Sequence, residues 1–245
     1  MRHSSLDLNH LISPGQIQEG STFHSETFIA HHKKSSSHTR VYTRNLAALI
    51  FDSKSQRLGT TARCTSYFAP QAQLILTASA AQFLTGNTEE QPSLATIRKM
   101  KNVDGIHLDE QEWVSPWRRG ASILHIELRR WADMMLIAPL SANTLAKIVN
   151  GFSDNLLLSV VRAWDPEGLI DGRKKRILVA SAMNSAMHNH PITGKQLSAL
   201  REWNWFEVLQ PMEKTLACGD TGSGAMMDWR EIVQITEARL GLSKE

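Results

Sequence analysis

Apolar runs of strand length alternate with segments of helical spacing from residue 71 to residue 241. The runs are QLILT, DMMLIAP, RILVA and FEVL, which occupy 73–77, 133–139, 176–180 and 206–209. Apolar residues three or four positions apart then recur in the intervening segments, as in amphipathic helices. Strands that alternate with helices predict a parallel sheet with helices on both faces. We therefore expect a single α/β domain, a three-layer, doubly wound parallel sheet.

The predicted helices carry recognisable start and stop signals. ASAAQFL follows the first strand, and SANTLAKIVNG ends at Gly151, a residue suited to the left-handed position after a helix. DNLLLSVVRAW, at 154–164, begins with Asp154 as the expected N-cap and is apolar nearly all round. This pattern indicates either a buried helix or an oligomer face. A last helix is expected after Asp228, with Glu231 three residues on as in a capping box.

The first 70 residues follow a different pattern. Residues 1–40 are rich in Ser, His and Thr and lack apolar periodicity, so we expect a disordered arm. NLAALIF, at 45–51, allows a short helix or a short strand. We accordingly predict a divergent, partly disordered N-terminal region over 1–70 and the folded domain over 71–241.

Composition narrows the function classes. The chain has 245 residues, 42% hydrophobic and 21% charged, and a formal charge of +3, which does not point to nucleic-acid binding. It contains no apolar run long enough to span a membrane, and its first residues lack the apolar region of a secretory signal. Cys64 and Cys218 form no CxxC pair, so neither a zinc site nor a disulfide framework is expected. A reducing, cytoplasmic setting follows.

A polar cluster follows the strand DMMLIAP. Ser141, Asn143 and Thr144 lie at the start of the next helix, where loops of doubly wound sheets bind ligands and free N–H groups favour anions. One of the three could simply cap the helix, but a cap requires only one side chain. The cluster therefore favours a binding site for an anion or a polyol.

Three further positions are candidates for chemistry. Asn184 follows the strand RILVA and could bind a carboxylate or amide, or simply bond its own turn. Cys218 lies in LACGDTGSGAM, a glycine-rich loop suited to an active-site flap, although most free cysteines are small buried residues. His125 opens the helix before DMMLIAP, where a histidine is more often structural.

Five segments, in order, carry a family resemblance: HIELRRWADMMLIAPLSANTLAKI, DNLLLSVVRAWD, AMNSAM, HPIT and KTLACGDTGSGAM. They resemble the homo-oligomeric flavin-containing cysteine decarboxylases, including the phosphopantothenoylcysteine decarboxylases, and the pattern is most similar to fungal members. The resemblance covers 71–241, some seven-tenths of the chain. It implies a Rossmann-like flavoprotein fold with FMN as cofactor.

The resemblance also implies roles for individual residues. The implied FMN-binding residues are Thr77, Ala78, Ser79, Ser141, Ala142, Asn143, Thr144 and Ala182. The implied catalytic residues are His125 and Cys218, and the implied substrate-binding residues are Asn184, Thr215, Leu216 and Ala217.

The implied activity is decarboxylation of 4′-phosphopantothenoylcysteine to 4′-phosphopantetheine in coenzyme A biosynthesis. FMN would take two electrons from the substrate thiol before carbon dioxide leaves and return them afterwards, with His125 acting in the first steps and Cys218 donating the final proton. The family's homotrimers place the site between subunits. The alternatives are a non-catalytic subunit of such a trimer, or an inhibitory subunit of a type-1-like serine/threonine protein phosphatase. Retention of His125, Asn184 and Cys218, and an ending without an acidic tail, favour the enzyme.

Three features of the sequence depart from the family pattern, one missing loop and two substituted residues. The family's Gly-Ser-Val-Ala phosphate loop has no counterpart before QLILT. Ser181 replaces the proline of Pro-Ala-Met-Asn, and His188 replaces the tryptophan of the following Met-Trp. The last change removes an aromatic wall expected near the substrate.

Overall fold

A six-stranded sheet forms the centre of the fold. The computed structural model describes residues 48–52, 71–84, 92–215 and 221–242. The sheet has the order β3-β2-β1-β4-β5-β6, the spatial order expected of a doubly wound dinucleotide-binding sheet. Its strands are β1 (Ala48–Asp52), β2 (Gln71–Leu76), β3 (Val103–Leu108), β4 (Met134–Leu140), β5 (Arg176–Ser181) and β6 (Phe206–Leu209).

Eight α-helices are described, and one 3-10 turn, Asp109–Gln111, follows β3. The helices are α1 (Ala78–Ala81), α2 (Leu94–Arg98), α3 (Leu124–Trp131), α4 (Ala142–Val149), α5 (Leu156–Arg162), α6 (Ser185–His188), α7 (Pro191–Glu202) and α8 (Trp229–Arg239). A separate two-stranded hairpin consists of β7 (Met212–Thr215) and β8 (Thr221–Ala225).

The core has two halves, one on each face of the sheet. Along β5, Ile177 and Val179 face a cluster that includes side chains of α3, α4, α5 and α7. Leu178 and Ala180 face the opposite cluster, to which α2 and α8 contribute. A strand buried on both faces has a continuous apolar sequence, which explains RILVA. The predicted three-layer α/β fold is confirmed.

The middle strand departs from the prediction of a fully parallel sheet. β2 and β3 are parallel, as are β4, β5 and β6, but β1 is antiparallel to both of its neighbours, β2 and β4. Of the two structures allowed for NLAALIF, the strand is therefore correct. β1 also places 48–52 inside the sheet, before residue 71. The predicted disordered arm over 1–40 lies outside the described residues.

Most predicted elements agree with the structure to within two or three residues, and Gly151 has the expected positive φ, of 73°. One predicted cap is wrong. The side chain that accepts the first-turn N–H of α5 belongs to Asn155, while Asp154 pairs with Lys147 of α4. The Lys147 hydrogen bond is the main cause that lowers the pKa of Asp154. β3 and the β7–β8 hairpin were not predicted, because neither has an uninterrupted apolar run.

Helix α5 is buried within the chain. Leu156, Leu157, Leu158, Val160 and Val161 are all buried, so the buried helix, not the oligomer face, is the correct alternative for this segment. Among the described residues, no helix is both long enough and apolar enough to cross a bilayer.

Candidate functional site

The sequence-predicted positions meet at one edge of the sheet. β2, β4 and β5 run in the same direction, so the residues that follow them lie at the same edge. These are Thr77, Ser141 and Ala182 respectively. The N-terminus of α3 lies at this edge too, since the loop after β3 leads into it. This carboxyl edge is where doubly wound folds bind ligands.

The start of α4 combines a cap with unused donors. Ser141 accepts the N–H of Thr144 at 3.2 Å and donates its own hydroxyl to the Thr144 Oγ1 at 3.1 Å. Ser141 is therefore the N-cap of α4, and its hydroxyl also hydrogen-bonds to the Thr144 hydroxyl. Asn143 is exposed, and among the described residues no acceptor binds the N–H groups of Ala142 or Asn143. Two amide donors and one amide side chain thus face outward at this helix start.

The start of α1 is fixed by a residue that the sequence analysis missed. Thr77 is the N-cap, and the N–H of Ala78 donates to Asp109 Oδ2 at 3.2 Å. The other oxygen of Asp109 accepts the N–H of Leu156 at 3.2 Å. Asp109 therefore joins the starts of α1 and α5, with Ser79 left exposed beside it. No sequence signal pointed to this role, because Asp109 directly follows β3, a strand that was not predicted.

His125 lies in the first turn of α3, and its ring is 22% exposed. Its Nδ1 contacts the Glu112 carboxylate, which is only 4% exposed. Glu112 also accepts the main-chain N–H of His125 at 3.4 Å. Glu112 was not predicted from the sequence, because a partner thirteen residues away leaves no periodic signal.

The other end of α3 is held by cations. Arg173 donates to the carbonyls of Arg130, Trp131 and Ala132, and Lys175 donates to that of Arg129 at 2.6 Å. Cations that bind the last carbonyls satisfy groups left free at a helix C-terminus and complement its dipole. Both ends of the helix that carries His125 are therefore fixed.

Arg173 and Lys175 both belong to the loop between α5 and β5, and Lys175 is part of a buried network of charged side chains. Lys175 Nζ lies 2.6 Å from Asp171, which also pairs with Arg129 at 3.1 Å, and all three side chains are nearly or fully buried. Burial is the main cause that lowers the pKa of Lys175. Asp165 accepts three loop N–H groups, and the N–H of Asp171 is the largest cause of its lowered pKa.

Asn184 bonds its own turn. Its Oδ1 accepts the N–H of Ala186 at 2.8 Å and caps α6, which is the structural alternative left open by the sequence. The Nδ2 group has no partner among the described residues, and the side chain is exposed. Ala182 is half-buried, and its N–H donates to the carbonyl of Leu140 at 3.1 Å. The substrate-binding role of Asn184 stays a prediction.

The β7–β8 hairpin docks on this segment. The N–H of Met183 donates to the carbonyl of Gly224 at 3.0 Å, and Ser223 donates to Asn189 at 3.0 Å. Thr215 is the last residue of β7 and pairs with Thr221 of β8. The remaining flap residues named from the sequence, Leu216, Ala217 and Cys218, lie outside the described residues.

Both departures near Asn184 leave a buried polar atom without a hydrogen-bond partner in the part of the chain that the structure describes. Ser181 is 1% exposed, and neither its Oγ nor the buried Nδ1 of His188 finds such a partner there. His188 packs so closely on β8 that a Cβ at Gly224 would lie 2.7 Å from its own Cβ. The hairpin therefore depends on glycine at this position.

Comparisons with known proteins agree with this geometry. The family model described as "Flavoprotein" matches residues 69–241. A protein of Arabidopsis thaliana named "Probable phosphopantothenoylcysteine decarboxylase" is 51% identical over 123 residues, which are 50% of this chain and 57% of that protein. The chain thus spans little more than half the length of this relative, and less than a third of several others.

Two solved structures share the fold, each with a TM-score of 0.55 and 38% identity. One is a cysteine-to-serine mutant of PPC decarboxylase complexed with pantothenoylaminoethenethiol, and the match covers 69% of this chain and 82% of that one. The other is "The FMN binding protein AtHal3", where the match covers 71% and 83%. The chain therefore belongs to the flavoprotein family.

Proposed function

We propose that the chain is an FMN-dependent decarboxylase that converts 4′-phosphopantothenoylcysteine to 4′-phosphopantetheine in coenzyme A biosynthesis. The observation that carries the proposal is the carboxyl edge of the sheet. A histidine held by a nearly buried carboxylate lies at the same edge as the free amide donors of α4 and the exposed side chain of Asn184. The names of the Arabidopsis relative and of the two solved structures support the same substrate and cofactor.

The residues at this edge fit a flavin. Ala78, Ser79, Ala142 and Ala182 have small side chains, and none of them is fully buried, so a planar ring could approach closely. The free N–H groups of α4 suit an oxygen acceptor or a phosphate. Bound FMN would supply reversible two-electron chemistry at this position.

The phosphate contacts differ from the family pattern. Because β1 is antiparallel to β2 and β4, its last residue, Asp52, lies at the edge opposite the candidate site. We infer that the start of α4, where the N–H groups of Ala142 and Asn143 have no acceptor among the described residues, provides the helix N-terminus used for the cofactor.

The chain's own side chains would handle the protons and the carboxylate. The Nε2 of His125 has no hydrogen-bond partner among the described residues, and the side chain is 22% exposed, so we propose that this atom accepts a proton as the substrate is oxidised. Asn184 Nδ2 can donate to the departing carboxylate. Cys218 would return a proton to the decarboxylated carbon skeleton, with Thr215, Leu216 and Ala217 lining the flap.

We further propose a homotrimer in the cytoplasm with the site shared between subunits. Trp113, Val114 and Trp117 lie within the five residues after Glu112 and are 61%, 76% and 51% exposed. Exposed aromatic groups beside a site are typical of an interface. Since α5 is buried within the chain, these side chains are better candidates for subunit contacts than α5. The non-catalytic subunit and the inhibitory subunit of a type-1-like phosphatase stay as alternative predictions.

The test is product analysis by mass spectrometry. The chain with FMN should convert 4′-phosphopantothenoylcysteine to 4′-phosphopantetheine and carbon dioxide. Cys218→Ser should release carbon dioxide but accumulate a product with two fewer hydrogen atoms, whereas Cys64→Ser, the matched control, should behave as the unmodified chain. Unchanged substrate with FMN bound would refute the proposed reaction, and normal pantetheine output from Cys218→Ser would refute the role of the cysteine.

A further inference from the structure

The side chain of Glu112 is buried against one ionisable partner among the described residues. Its carboxylate is 4% exposed and, among the described residues, makes its ion-pair contact with His125. A carboxylate removed from water requires hydrogen bonds to offset the cost of desolvation. Glu112 obtains them from the ring and the main-chain N–H of the same histidine.

The turn that carries Glu112 is anchored at several points. Asp109 receives N–H groups from Ala78 and Leu156, and Gln111 accepts the N–H of Leu108 at 3.2 Å. The main-chain N–H of Glu112 itself closes the turn on the Asp109 carbonyl. The carboxylate is therefore presented by a fixed element that is also bonded to the start of α1.

This contact determines the protonation pattern of the His125 ring. A carboxylate accepts hydrogen bonds, so Nδ1 must carry the proton that it donates to Glu112. In the neutral ring, Nε2 is then left as the free base, and this atom has no hydrogen-bond partner among the described residues, in a side chain that is 22% exposed. The hydrogen bond at one ring nitrogen thus sets the chemistry of the other.

We propose that Glu112 is the positioning residue of His125. It fixes the ring orientation and the Nδ1–H tautomer, and it stabilises the imidazolium that forms when Nε2 takes up a proton. The role in turnover rests on the proposed decarboxylase function, whereas the control of the tautomer does not.

The direct test is the ring nitrogen spectrum of His125. In protein labelled with ¹⁵N-histidine, long-range ¹⁵N–¹H correlations distinguish the two neutral tautomers, and the spectrum of His125→Gln identifies the signals among the ten histidines of the chain. The unmodified chain should show the Nδ1–H form. Glu112→Ala should lose that preference, while Glu127→Gln, an exposed position on the same helix, should retain it.

Turnover provides the second readout. Glu112→Gln, which keeps the shape but not the charge, should lower kcat by about 100-fold, a typical contribution of general acid–base catalysis, with KM nearly unchanged because Glu112 would not touch the substrate. Thermal unfolding of each variant identifies any that fail to fold.

The outcomes are separable. An Nε2–H tautomer in the unmodified chain, or an unchanged Nδ1–H signal in Glu112→Ala, would overturn the positioning role. Full activity of Glu112→Gln would overturn its contribution to turnover. If the unmodified chain has no decarboxylase activity, the proposed function fails, and the tautomer spectra still decide the role of Glu112.

Discussion

Substitution of Gly224 by alanine should release the β7–β8 hairpin from the segment that carries Asn184. Gly224 has a φ of +100°, and a Cβ there would lie 2.7 Å from the Cβ of His188 and 2.9 Å from the Met183 carbonyl oxygen. The backbone strain costs about 1–2 kcal/mol, and overpacking adds about 1–3 kcal/mol. The expected loss is therefore about 2–5 kcal/mol. We expect it to appear as undocking, because β7 and β8 pair with each other and not with the main sheet.

Hydrogen exchange at the Met183 amide measures this docking, since that N–H donates to Gly224. A loss of 2 kcal/mol or more should speed exchange by more than about tenfold, 1.4 kcal/mol being tenfold in an equilibrium constant. Gly120→Ala is the matched control, because Gly120 has a φ of +90° but no atom within 4 Å of a Cβ. Unchanged protection of Met183 in Gly224→Ala, or an equal loss in Gly120→Ala, would refute the reasoning.

Three further substitutions test the buried polar groups. Asp171→Asn leaves the buried Lys175 without its carboxylate and should lower the free energy of unfolding in urea by about 3–5 kcal/mol; a loss below 1 kcal/mol would contradict the network. Ser181→Ala removes a buried hydroxyl that has no partner among the described residues and should raise that free energy by about 1 kcal/mol; a decrease would show that the hydroxyl is satisfied. Asp165 has a pKa below its ordinary 3.8, so it stabilises the fold above that pH and loses this effect as pH falls through its folded-state pKa. Asp165→Asn should therefore weaken the pH dependence of unfolding below about pH 4, and equal slopes for the variant and the unmodified chain would contradict this.

Local patterns predicted the parts of the fold that local physics determines. RILVA is apolar throughout because β5 is buried on both faces, and the cluster at Ser141 gave the start of α4 because a hydroxyl cap is a local hydrogen bond. The choice of Asp154 as the cap was wrong because Asp154 and Asn155 are both capable of capping α5. The two differ in a long-range contact, since Asp154 pairs with Lys147 and Asn155 caps the helix.

Long-range pairings could not be predicted in the same way. The direction of β1 depends on register with β2 and β4, which no pattern within NLAALIF encodes. Glu112 accepts a hydrogen bond from His125, 13 positions away, and Asp109 accepts one from Leu156, 47 positions away. For Asn184, the sequence left two uses of one side chain open, and the structure shows that its oxygen caps α6, while its nitrogen has no partner among the described residues.

A visible absorbance spectrum would show whether the carboxyl edge of this sheet binds a flavin although β1 is antiparallel to its neighbours. The purified chain would be incubated with FMN and separated from free cofactor by gel filtration. We predict flavin absorbance bands that co-elute with the protein. A protein fraction that stays colourless after this treatment would contradict it.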